Sequence, residues 1–430
     1  MAAMESFSCL AERCEDSCCR DWIIPIDRES FERMRRGMTV TPEGRERLVR
    51  LVVVGQPSGD TDRMAVLKVN DQGACTMLGT DQRCGIQTEF GEATLPTACS
   101  IFPRTALAVA GRLEVGGDLA CPEVSRLVLL TKNGPDLADS RRSLMPRAYV
   151  GRVVNPDPGD AYAYHLPAVR DRLFRLLGLP NHPPGARLVF AADFAEAVGS
   201  FYYANTPEFS GTQNRFSERR LDEEMRTALT ADHQRSLADD FTGLRSTGEG
   251  TVAMIVTLLS ERQRLPHSAR FADLVRDVMT SIQKEVPGGP VGIVASPATM
   301  WQVYARRREA VNVRAGARSD LIFGNFARHF LLRSPHTDSA TLSEHLYRLA
   351  IQLAAVRFLT VTHPDLEARL AAPPDAAADE AVLSRVAIHA IQTFSKAIGH
   401  HRQYLDTIIH SRRQSGGFSF GQLVMLARFI

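Results

Sequence analysis

The sequence predicts a mainly helical protein with a small, loop-rich α+β module of metal-binding cysteines at its N-terminus. Two observations predict this fold. All eight cysteines lie within the first 121 of 430 residues. The chain beyond them has the apolar spacing of amphipathic helices, interrupted by proline and glycine. We therefore divide the chain into a cysteine-rich metal module, residues 1–126, and a helical domain, residues 127–430.

The overall composition excludes several classes of function. The 51 basic and 49 acidic residues leave a net charge of +2, which favours neither nucleic acid nor an anionic membrane as a partner. No apolar run approaches the roughly 18–20 residues of a membrane span, and "LAIQLAAVRFLTV", interrupted by Arg357, predicts a buried helix. The N-terminus lacks the pattern of a secretory signal. We expect a cytoplasmic protein, and nothing in the composition indicates its oligomeric state.

The cysteines are best explained as soft-metal ligands. Structural disulfides are disfavoured in a reducing cytoplasm, and cysteines that serve only as small core residues would be scattered along the chain. Here they lie among turn-forming residues, which let backbone N–H groups approach thiolate sulfurs. The predicted metal ligands are Cys9, Cys14, Cys18, Cys19, Cys75, Cys84, Cys99 and Cys121.

The spacing of these cysteines restricts the kind of metal site. A zinc ribbon would have two CxxC pairs, and the sequence has none. A radical S-adenosylmethionine enzyme would have CxxxCxxC; Cys14 and Cys18 have the first spacing, but Asp21 occupies the third position. Zinc and an iron-sulfur cluster both stay open. Because neighbouring side chains of an extended chain point to opposite sides, we expect Cys18 and Cys19 to serve different roles.

Local patterns predict the main elements of both parts. Short strands are predicted in "RLVRLVVVG", "MAVLKV" and "ALAVAGRLEVG", where apolar and β-branched residues lie between turn signals. In the helical domain, Thr341 and Glu344 form a capping box before an apolar i, i+4, i+7 stripe. Asp375 is expected to cap another helix, which ends at Gly399. Long turns are predicted at residues 178–187, 286–292 and 371–379.

Three segments resemble a known family. "FSCLAERCEDSCCRDWIIPID", "GACTMLGTDQRCGIQTEFGEATLPTACSIFPR" and "ACPEVSR" are similar to the flagellin lysine N-methylases, the FliB family. That family shares its N-terminal cysteine pattern with a broader class of zinc- or iron-chelating proteins. The similarity includes Trp22, Asp27 and the pair Pro122-Glu123, and covers about the first 126 residues. It is thinner in "DLIFGNFARHFLLRSPH" and the closing helices, and Thr76 stands where the family commonly has proline.

The resemblance implies an activity, cofactors and a partner. The activity is that of a protein-lysine N-methyltransferase, which transfers a methyl group from S-adenosylmethionine to surface lysines of flagellin. The implied metal group is an iron-sulfur cluster of the 4Fe-4S type, with zinc as the alternative. A non-catalytic metal-binding or redox-sensing protein is the alternative function, and a zinc-stabilised interaction scaffold is the third.

Candidate catalytic residues follow from the matched segments. Methyl transfer needs a group that accepts the proton of the lysine amine or orients its lone pair. Glu92, Glu123 and Arg104 stand in the matched segments near cysteines and are the candidates, whereas Asn325 and His401, from the weaker matches, rank lower. The glycines of "STGEGTVAMIV" follow no predicted strand, so they predict plain turns and leave the S-adenosylmethionine site unlocated.

Overall fold

In a computed structural model, the chain is mainly helical, as the sequence predicts. The structure describes residues 1–54, 63–155, 160–204, 218–244, 248–265, 268–285, 295–414 and 419–430. Within these ranges, no helix combines the length and the apolar character that crossing a membrane requires. The turn predicted at residues 286–292 lies outside the described residues.

The strands of the described chain form two three-stranded sheets. They are β1 (Pro25–Asp27), β2 (Val52–Val54), β3 (Arg63–Leu67), β4 (Arg104–Val109), β5 (Arg112–Gly117) and β6 (Arg152–Val154). The first sheet has the order β1-β3-β2 with antiparallel pairing throughout. In the second sheet, β4 pairs antiparallel with β5 and parallel with β6.

Helices make up most of the remaining chain. Those before residue 205 are α1 (Arg28–Met38), α2 (Pro42–Leu51), α3 (Gly85–Phe90), α4 (Thr97–Ile101), α5 (Pro122–Leu129), α6 (Ala161–Tyr164), α7 (Leu166–Leu177) and α8 (Pro184–Ala204). Those after it are α9 (Glu218–Ala228), α10 (Ala231–Gly243), α11 (Glu249–Gln263), α12 (Ala269–Gln283), α13 (Pro297–Arg333), α14 (Leu342–Val361), α15 (Pro364–Ala371), α16 (Ala376–Phe394), α17 (Arg402–Gln414) and α18 (Phe420–Phe429). A π-helical turn, Ser395–Gly399, continues α16.

Two of the three strand predictions are confirmed. "MAVLKV" overlaps β3 in its first four residues, and "ALAVAGRLEVG" forms the β4–β5 hairpin, whose turn residues Ala110 and Gly111 have φ values of 50° and 78°. "RLVRLVVVG" is a strand only at its end, because its first five residues complete α2. The side chain of Thr41 caps that helix and Pro42 begins it, so the helix signal prevails over the β-branched residues.

Both capped helices of the helical domain are confirmed. The Thr341 side chain accepts a hydrogen bond from the backbone N–H of Glu344 at 3.0 Å, and Asp375 accepts one from Ala378 at 3.0 Å. The first cap begins α14, which is buried nearly all round and includes Arg357 at 2% exposure. The second begins α16, and the helical path ends at Gly399 after the π-helical turn.

The described chain has one large core and a smaller core in the cysteine-rich part. The large core contains side chains of α5, α7, α8 and the later helices, together with Met1 and Met4. The small core is formed by Ile26, Met34, Met38, Leu48, Leu51, Val52, Ala65, Leu67, Cys75, Ile86 and Leu95. Residues near the N-terminus therefore contribute to both cores.

The predicted domain boundary at residue 126 falls inside α5. That helix packs against α13 and α16. Buried Asn325 of α13 donates hydrogen bonds to the carbonyl oxygens of Val128, Leu129 and Thr131, which end α5. The amide thus satisfies carbonyls that the helix itself leaves unpaired. The division into two domains stays a prediction.

Candidate functional site

The predicted metal ligands fall into two groups in space. Three of them, the amino-terminal thiol group, lie close enough for their charges to interact: Cys9, Cys14 and Cys121. The other five, the core thiol group, lie in or beside the small core: Cys18, Cys19, Cys75, Cys84 and Cys99. The folded chain therefore brings together thiols from distant parts of the cysteine-rich segment.

Cys19 is the centre of the core thiol group. Its thiol is in hydrogen-bond contact with Cys18 and with Cys84, and its backbone carbonyl accepts a 2.7 Å hydrogen bond from the N–H of Cys75. Cys18 and Cys19 lie in a turn, so the alternation of an extended strand does not separate their thiols. Their surroundings still differ, because Cys18 is exposed whereas Cys19 is half-buried against the small core.

The buried and half-buried thiols of both groups are held in their neutral form. Contact with Cys18, together with burial, raises the pKa of Cys19 to about 12, although the contact with Cys84 acts in the opposite direction. Burial raises the pKa of Cys121 to about 12 and that of Cys99 well above its usual value. Binding of a metal would reverse this preference, because thiolates are the ligands and their protons are released.

The donor chemistry of the core thiol group fits a soft metal. Its sulfur atoms come from four chain segments, and soft thiolate ligands suit zinc and iron-sulfur clusters. Among the described residues, which include all eight cysteines, no three His, Cys, Asp or Glu side chains converge on one metal position. The metal group therefore stays a proposal.

The three candidate catalytic residues occupy different places. Arg104 begins β4, is half-buried, and has its guanidinium 5.1 Å from the ring centroid of Phe7. Burial lowers the pKa of Arg104. Glu92 is exposed in the turn before α4, and Glu123 forms a 3.2 Å ion pair with Arg126 in the first turns of α5. The structure does not bring the three together around one point, and their catalytic roles stay predictions.

Two cavities share four wall residues at the place where the cysteine-rich segment contacts the later helices. One, of about 310 Å³, extends between α13, α14 and α17. The other, of about 410 Å³, extends along β4 and β5 and is lined by Arg104. Neither Glu92 nor Glu123 is among the described residues that line these two cavities. The residues common to both walls, here called the junction site, are Asp118, His329, Arg333 and His400.

Asp118 is the electrostatic centre of the junction site. Its Oδ2 lies 2.6 Å from a guanidinium nitrogen of Arg333 and 3.1 Å from Nε2 of His400, and its Oδ1 accepts a 3.0 Å hydrogen bond from the N–H of Ala120. Although burial opposes ionisation, Arg333 and His400 hold the pKa of Asp118 well below its usual range. The carboxylate is therefore ionised and oriented by three donors.

Two neutral histidines line the walls beside this carboxylate. Nε2 of His329 donates a 2.7 Å hydrogen bond to the carbonyl oxygen of Gly117, which leaves Nδ1 as the unprotonated nitrogen. Burial lowers the pKa of His329 to about 4 and that of His345 to about 3. The cavity walls thus combine the ionised carboxylate of Asp118 with two imidazoles, those of His329 and His345, that stay neutral at pH 7.

A buried ion pair attaches the first cysteine loop to the helical domain. Nζ of Lys396 lies 2.7 Å from Oδ1 of Asp16, and each side chain is 5% exposed. Gln392 donates to the other carboxylate oxygen of Asp16 at 2.5 Å. Asp16 stands between Cys14 and Cys18, so this pair, here called the loop lock, fixes the loop against the end of α16.

Trp22 connects the loop lock with the junction site. Its ring centroid lies 5.4 Å from Nζ of Lys396, and its ring meets that of His400 edge to face at 4.8 Å. Lys396 itself lies in the π-helical turn that precedes His400. Such turns occur frequently at functional sites. The position of His400 therefore depends on the same contacts that hold the cysteine loop.

Sequence reasoning missed the junction site and the loop lock. Asp16 lies inside a quoted cysteine segment and Asp118 lies two residues before another. Their partners Lys396, Arg333 and His400 are distant in sequence, and no spacing pattern connects them. One local signal was present, since both acidic residues stand within three positions of a cysteine. The partners become visible only in the folded chain.

Comparisons with known proteins identify relatives of the helical domain. The family model for the FliB lysine N-methylase C-terminal domain matches residues 170–426, which is more than half of the chain. The matched range begins after the last cysteine, so it does not cover the cysteine-rich segment. It includes Arg333, Lys396 and His400. No solved structure matches this chain significantly.

Three curated relatives are similar over part of their length. The lysine-N-methylase of Salmonella typhimurium is 26% identical over 151 residues, 34% of this chain and 36% of that protein. The lysine-N-methylase of Salmonella choleraesuis has the same identity and coverage. The flagellar biosynthetic protein FliU of Salmonella muenchen is 28% identical over 137 residues, 31% of this chain and 76% of that protein. The matched region thus spans about a third of the two methylases.

We predict that Lys396→Met strongly destabilises the protein. The substitution leaves Asp16 buried without its counter-charge, which costs about 3–5 kcal/mol in the free energy of unfolding. Urea unfolding at pH 7 measures the loss. The double variant Asp16→Leu, Lys396→Met should recover much of the lost stability, because both buried charges are gone.

Arg385→Met, which breaks an exposed 2.7 Å pair with Asp365, is the control and should cost less than about 1 kcal/mol. Equal stability of Lys396→Met and wild type would contradict the loop lock.

We also predict that the protein loses stability as the pH falls below about 6.5, where histidines of an unfolded chain take up protons. The folded chain keeps His329 and His345 neutral to about pH 4 and 3. In that window the unfolded state binds more protons, so each buried histidine lowers the free energy of unfolding by about 1.4 kcal/mol per pH unit. Urea unfolding at several pH values measures the slope. His345→Gln should make it shallower than the exposed control His410→Gln; identical slopes would count against the buried neutral imidazole.

Proposed function

Because this chain belongs to the FliB lysine N-methylase family, as its sequence predicts, we propose that it is a cytoplasmic protein-lysine N-methyltransferase. The match over residues 170–426 carries the proposal, since that range supplies Arg333 and His400 of the junction site. In the proposal, S-adenosylmethionine donates the methyl group and surface lysines of flagellin accept it. No nucleic acid or membrane takes part.

The names of the relatives support the reaction and the substrate class. Two of them are lysine-N-methylases, and the third is a flagellar biosynthetic protein. Because the alignments cover only part of the two methylases, the activity of this chain and its choice of flagellin belong to the proposal. They are the expectations that an assay must test.

The junction site offers a plausible base for the reaction. The lysine amine attacks the methyl carbon through its lone pair, so the ammonium must first lose a proton. When Nε2–H of His400 donates to Asp118, Nδ1 of the same ring is free to accept that proton. Asp118 fixes the tautomer and orientation of the imidazole, as the carboxylate does in catalytic triads. We therefore assign His400 the role of base and Asp118 that of its positioning residue.

Burial is the effect of this cavity that favours a neutral amine. The walls reduce the hydration of an ammonium ion, which lowers the pKa of a lysine that enters. The charge of Arg333 is offset by the Asp118 carboxylate with which it pairs. Arg104 lies on the wall of the adjoining cavity, where it can meet an anionic part of the donor or substrate. Glu92 and Glu123 lie outside these walls, and their catalytic roles stay predictions.

The proposal also includes a metal group on the core thiol group. Cys19, Cys75, Cys84 and Cys99 would hold it, as an iron-sulfur cluster of the 4Fe-4S type or as zinc. When bound, either group would cross-link four segments of the small core, and an iron-sulfur cluster would also supply redox chemistry. The amino-terminal thiols Cys9, Cys14 and Cys121, with the exposed Cys18, are the remaining predicted ligands.

We predict that anaerobically prepared protein methylates flagellin when S-adenosylmethionine is supplied. Intact-mass and peptide mass spectrometry should find increments of one methyl group on flagellin lysines. His400→Gln should reduce the rate about 100-fold or more at neutral pH, the size expected for a general base, and should recover part of it at alkaline pH, where lysine deprotonates without help.

Arg306→Met, exposed on α13, is the control and should retain activity. Absence of transfer by wild-type protein that contains its metal would reject the methyltransferase proposal and favour the redox-sensing alternative. Methylation with an unchanged rate and pH profile in His400→Gln would reject only the assignment of the base.

We predict that the protein purified without oxygen contains iron and sulfide and is brown. Cys19→Ser should lose most of the iron, because its thiol contacts other members of the core thiol group, whereas Cys18→Ser, at an exposed position, should retain most of it. Metal analysis and the visible spectrum measure both. Colourless protein with stoichiometric zinc would show that the metal is zinc and would reject the cluster. Equal loss of iron in the two variants would contradict different roles for the adjacent cysteines.

A further inference from the structure

A second charged cavity lies away from the junction site. It has a volume of about 410 Å³ and is lined by residues of α13, α14 and α18. None of its described wall residues is shared with the two cavities of the junction site. The methyl-transfer proposal does not use it, and the inference drawn from it does not depend on that proposal.

The walls of this cavity carry an excess of positive charge. Three arginines, Arg308, Arg357 and Arg428, face one carboxylate side chain, that of Asp320, and the terminal carboxylate of Ile430 is the second negative charge in the wall. Among the described residues, no carboxylate is in ion-pair contact with Arg308 or Arg357. Their hydrogen bonds go to neutral acceptors instead. An anion is therefore the natural complement of this cavity.

Arg357 is the residue that most needs a counter-ion. It is 2% exposed, donates hydrogen bonds to the side-chain oxygen of Asn312 at 2.9 Å and to the hydroxyl of Tyr304, and lies 5.2 Å from the ring centroid of Phe323. Its buried Nε has no hydrogen-bond partner among the described residues. A buried guanidinium that is paired only with neutral groups is costly. The cavity beside it is open to a ligand that supplies the missing charge.

Arg308 is a second arginine of this cavity whose hydrogen bonds are incomplete. It donates to the carbonyl oxygens of Arg428 and Phe429 at 2.6 and 3.0 Å, but its buried Nε also has no partner among the described residues. Its guanidinium lies 5.5 Å from the ring centroid of Trp301, which fixes its direction. Two arginines without an ion-pair partner among the described residues thus line one cavity, from α13 and α14.

The backbone of α13 opens where it passes this cavity. Ala315 has non-helical angles, φ −146° and ψ 31°, so the long helix is kinked there. The next residue, Gly316, lines the cavity, and a side chain at its position would meet open space. The kink and the missing side chain leave room beside Arg308 and Arg357.

We propose that this cavity binds a small oxyanion, the phosphate or carboxylate group of a metabolite, between Arg308 and Arg357. The anion supplies the negative charge that the two guanidinium groups lack, and charge-assisted hydrogen bonds to such groups are the strong ones. Phosphate esters and free carboxylates share this chemistry. The experiment separates them by using inorganic phosphate, adenosine 5′-monophosphate and S-adenosylhomocysteine, which has a carboxylate and no phosphate.

Trp301 provides a reporter in the wall of the cavity. The chain has two tryptophans, so Trp22→Phe leaves Trp301 as the single source of indole fluorescence. Each probe is titrated into the full-length Trp22→Phe protein at constant ionic strength, with sodium chloride as the compensating salt. At least one probe should give a saturable change in fluorescence and raise the thermal midpoint. The probe that does so identifies the source of the oxyanion.

Variants of the two arginines test the assignment. Arg357→Met and Arg308→Gln, each in the Trp22→Phe background, should weaken the apparent Kd about tenfold or more, since each removes a charged hydrogen bond. The matched control Arg306→Met removes an exposed arginine of the same helix and should leave the Kd unchanged. Without anions, Arg357→Met should unfold at the same urea concentration as its parent or a higher one, because a costly buried charge is gone.

Three outcomes would overturn the proposal. The first is that no probe gives a saturable signal. The second is that both arginine variants bind with the affinity of the parent. The third is that anion-free Arg357→Met is markedly less stable than the parent, which would mean that the protein alone satisfies Arg357. None of these measurements requires methyltransferase activity, so they leave the proposed function untouched.

Discussion

The buried ion pair between Asp16 and Lys396 is the contact on which the arrangement of this protein depends. The two residues are 380 positions apart, and neither charge is tolerable in the interior without the other. Their pairing therefore fixes the loop of Cys14, Cys18 and Cys19 against the helical domain. It also fixes the π-helical turn that leads to His400. The cysteine-rich segment and the junction site are thus positioned by one interaction.

Local signals explain why much of the fold was predictable from the sequence. The caps at Thr341 and Asp375 act within three residues, and the hairpin of β4 and β5 needs only its alternating strands and a two-residue turn. Where two local signals compete, the prediction becomes partial. In "RLVRLVVVG", the cap at Thr41 and the proline after it extend a helix over residues whose composition favours a strand.

The candidate site was less predictable because its contacts are not local. The distribution of the cysteines was enough to predict that they form one part of the chain. The prediction that Cys18 and Cys19 point to opposite sides assumed an extended chain, whereas the two lie in a turn and belong to one thiol group. Asp118, Arg333 and His400 belong to segments that no periodicity connects. No sequence motif distinguishes His400, and it becomes a candidate base only when folding places a carboxylate 3.1 Å from its ring.

A short turn connects Cys121, one of the amino-terminal thiols, with Asp118. The backbone N–H of Cys121 donates to the carbonyl oxygen of Asp118 at 3.0 Å, and the carbonyl oxygen of Ala120 accepts a hydrogen bond from Gln392. Gln392 also holds Asp16, so the turn and the loop lock share a partner. Any rearrangement of Cys121 on binding a metal would therefore act on the backbone that carries Asp118. The thiols and the proposed base are connected through hydrogen bonds of the protein itself, whichever metal the thiols hold.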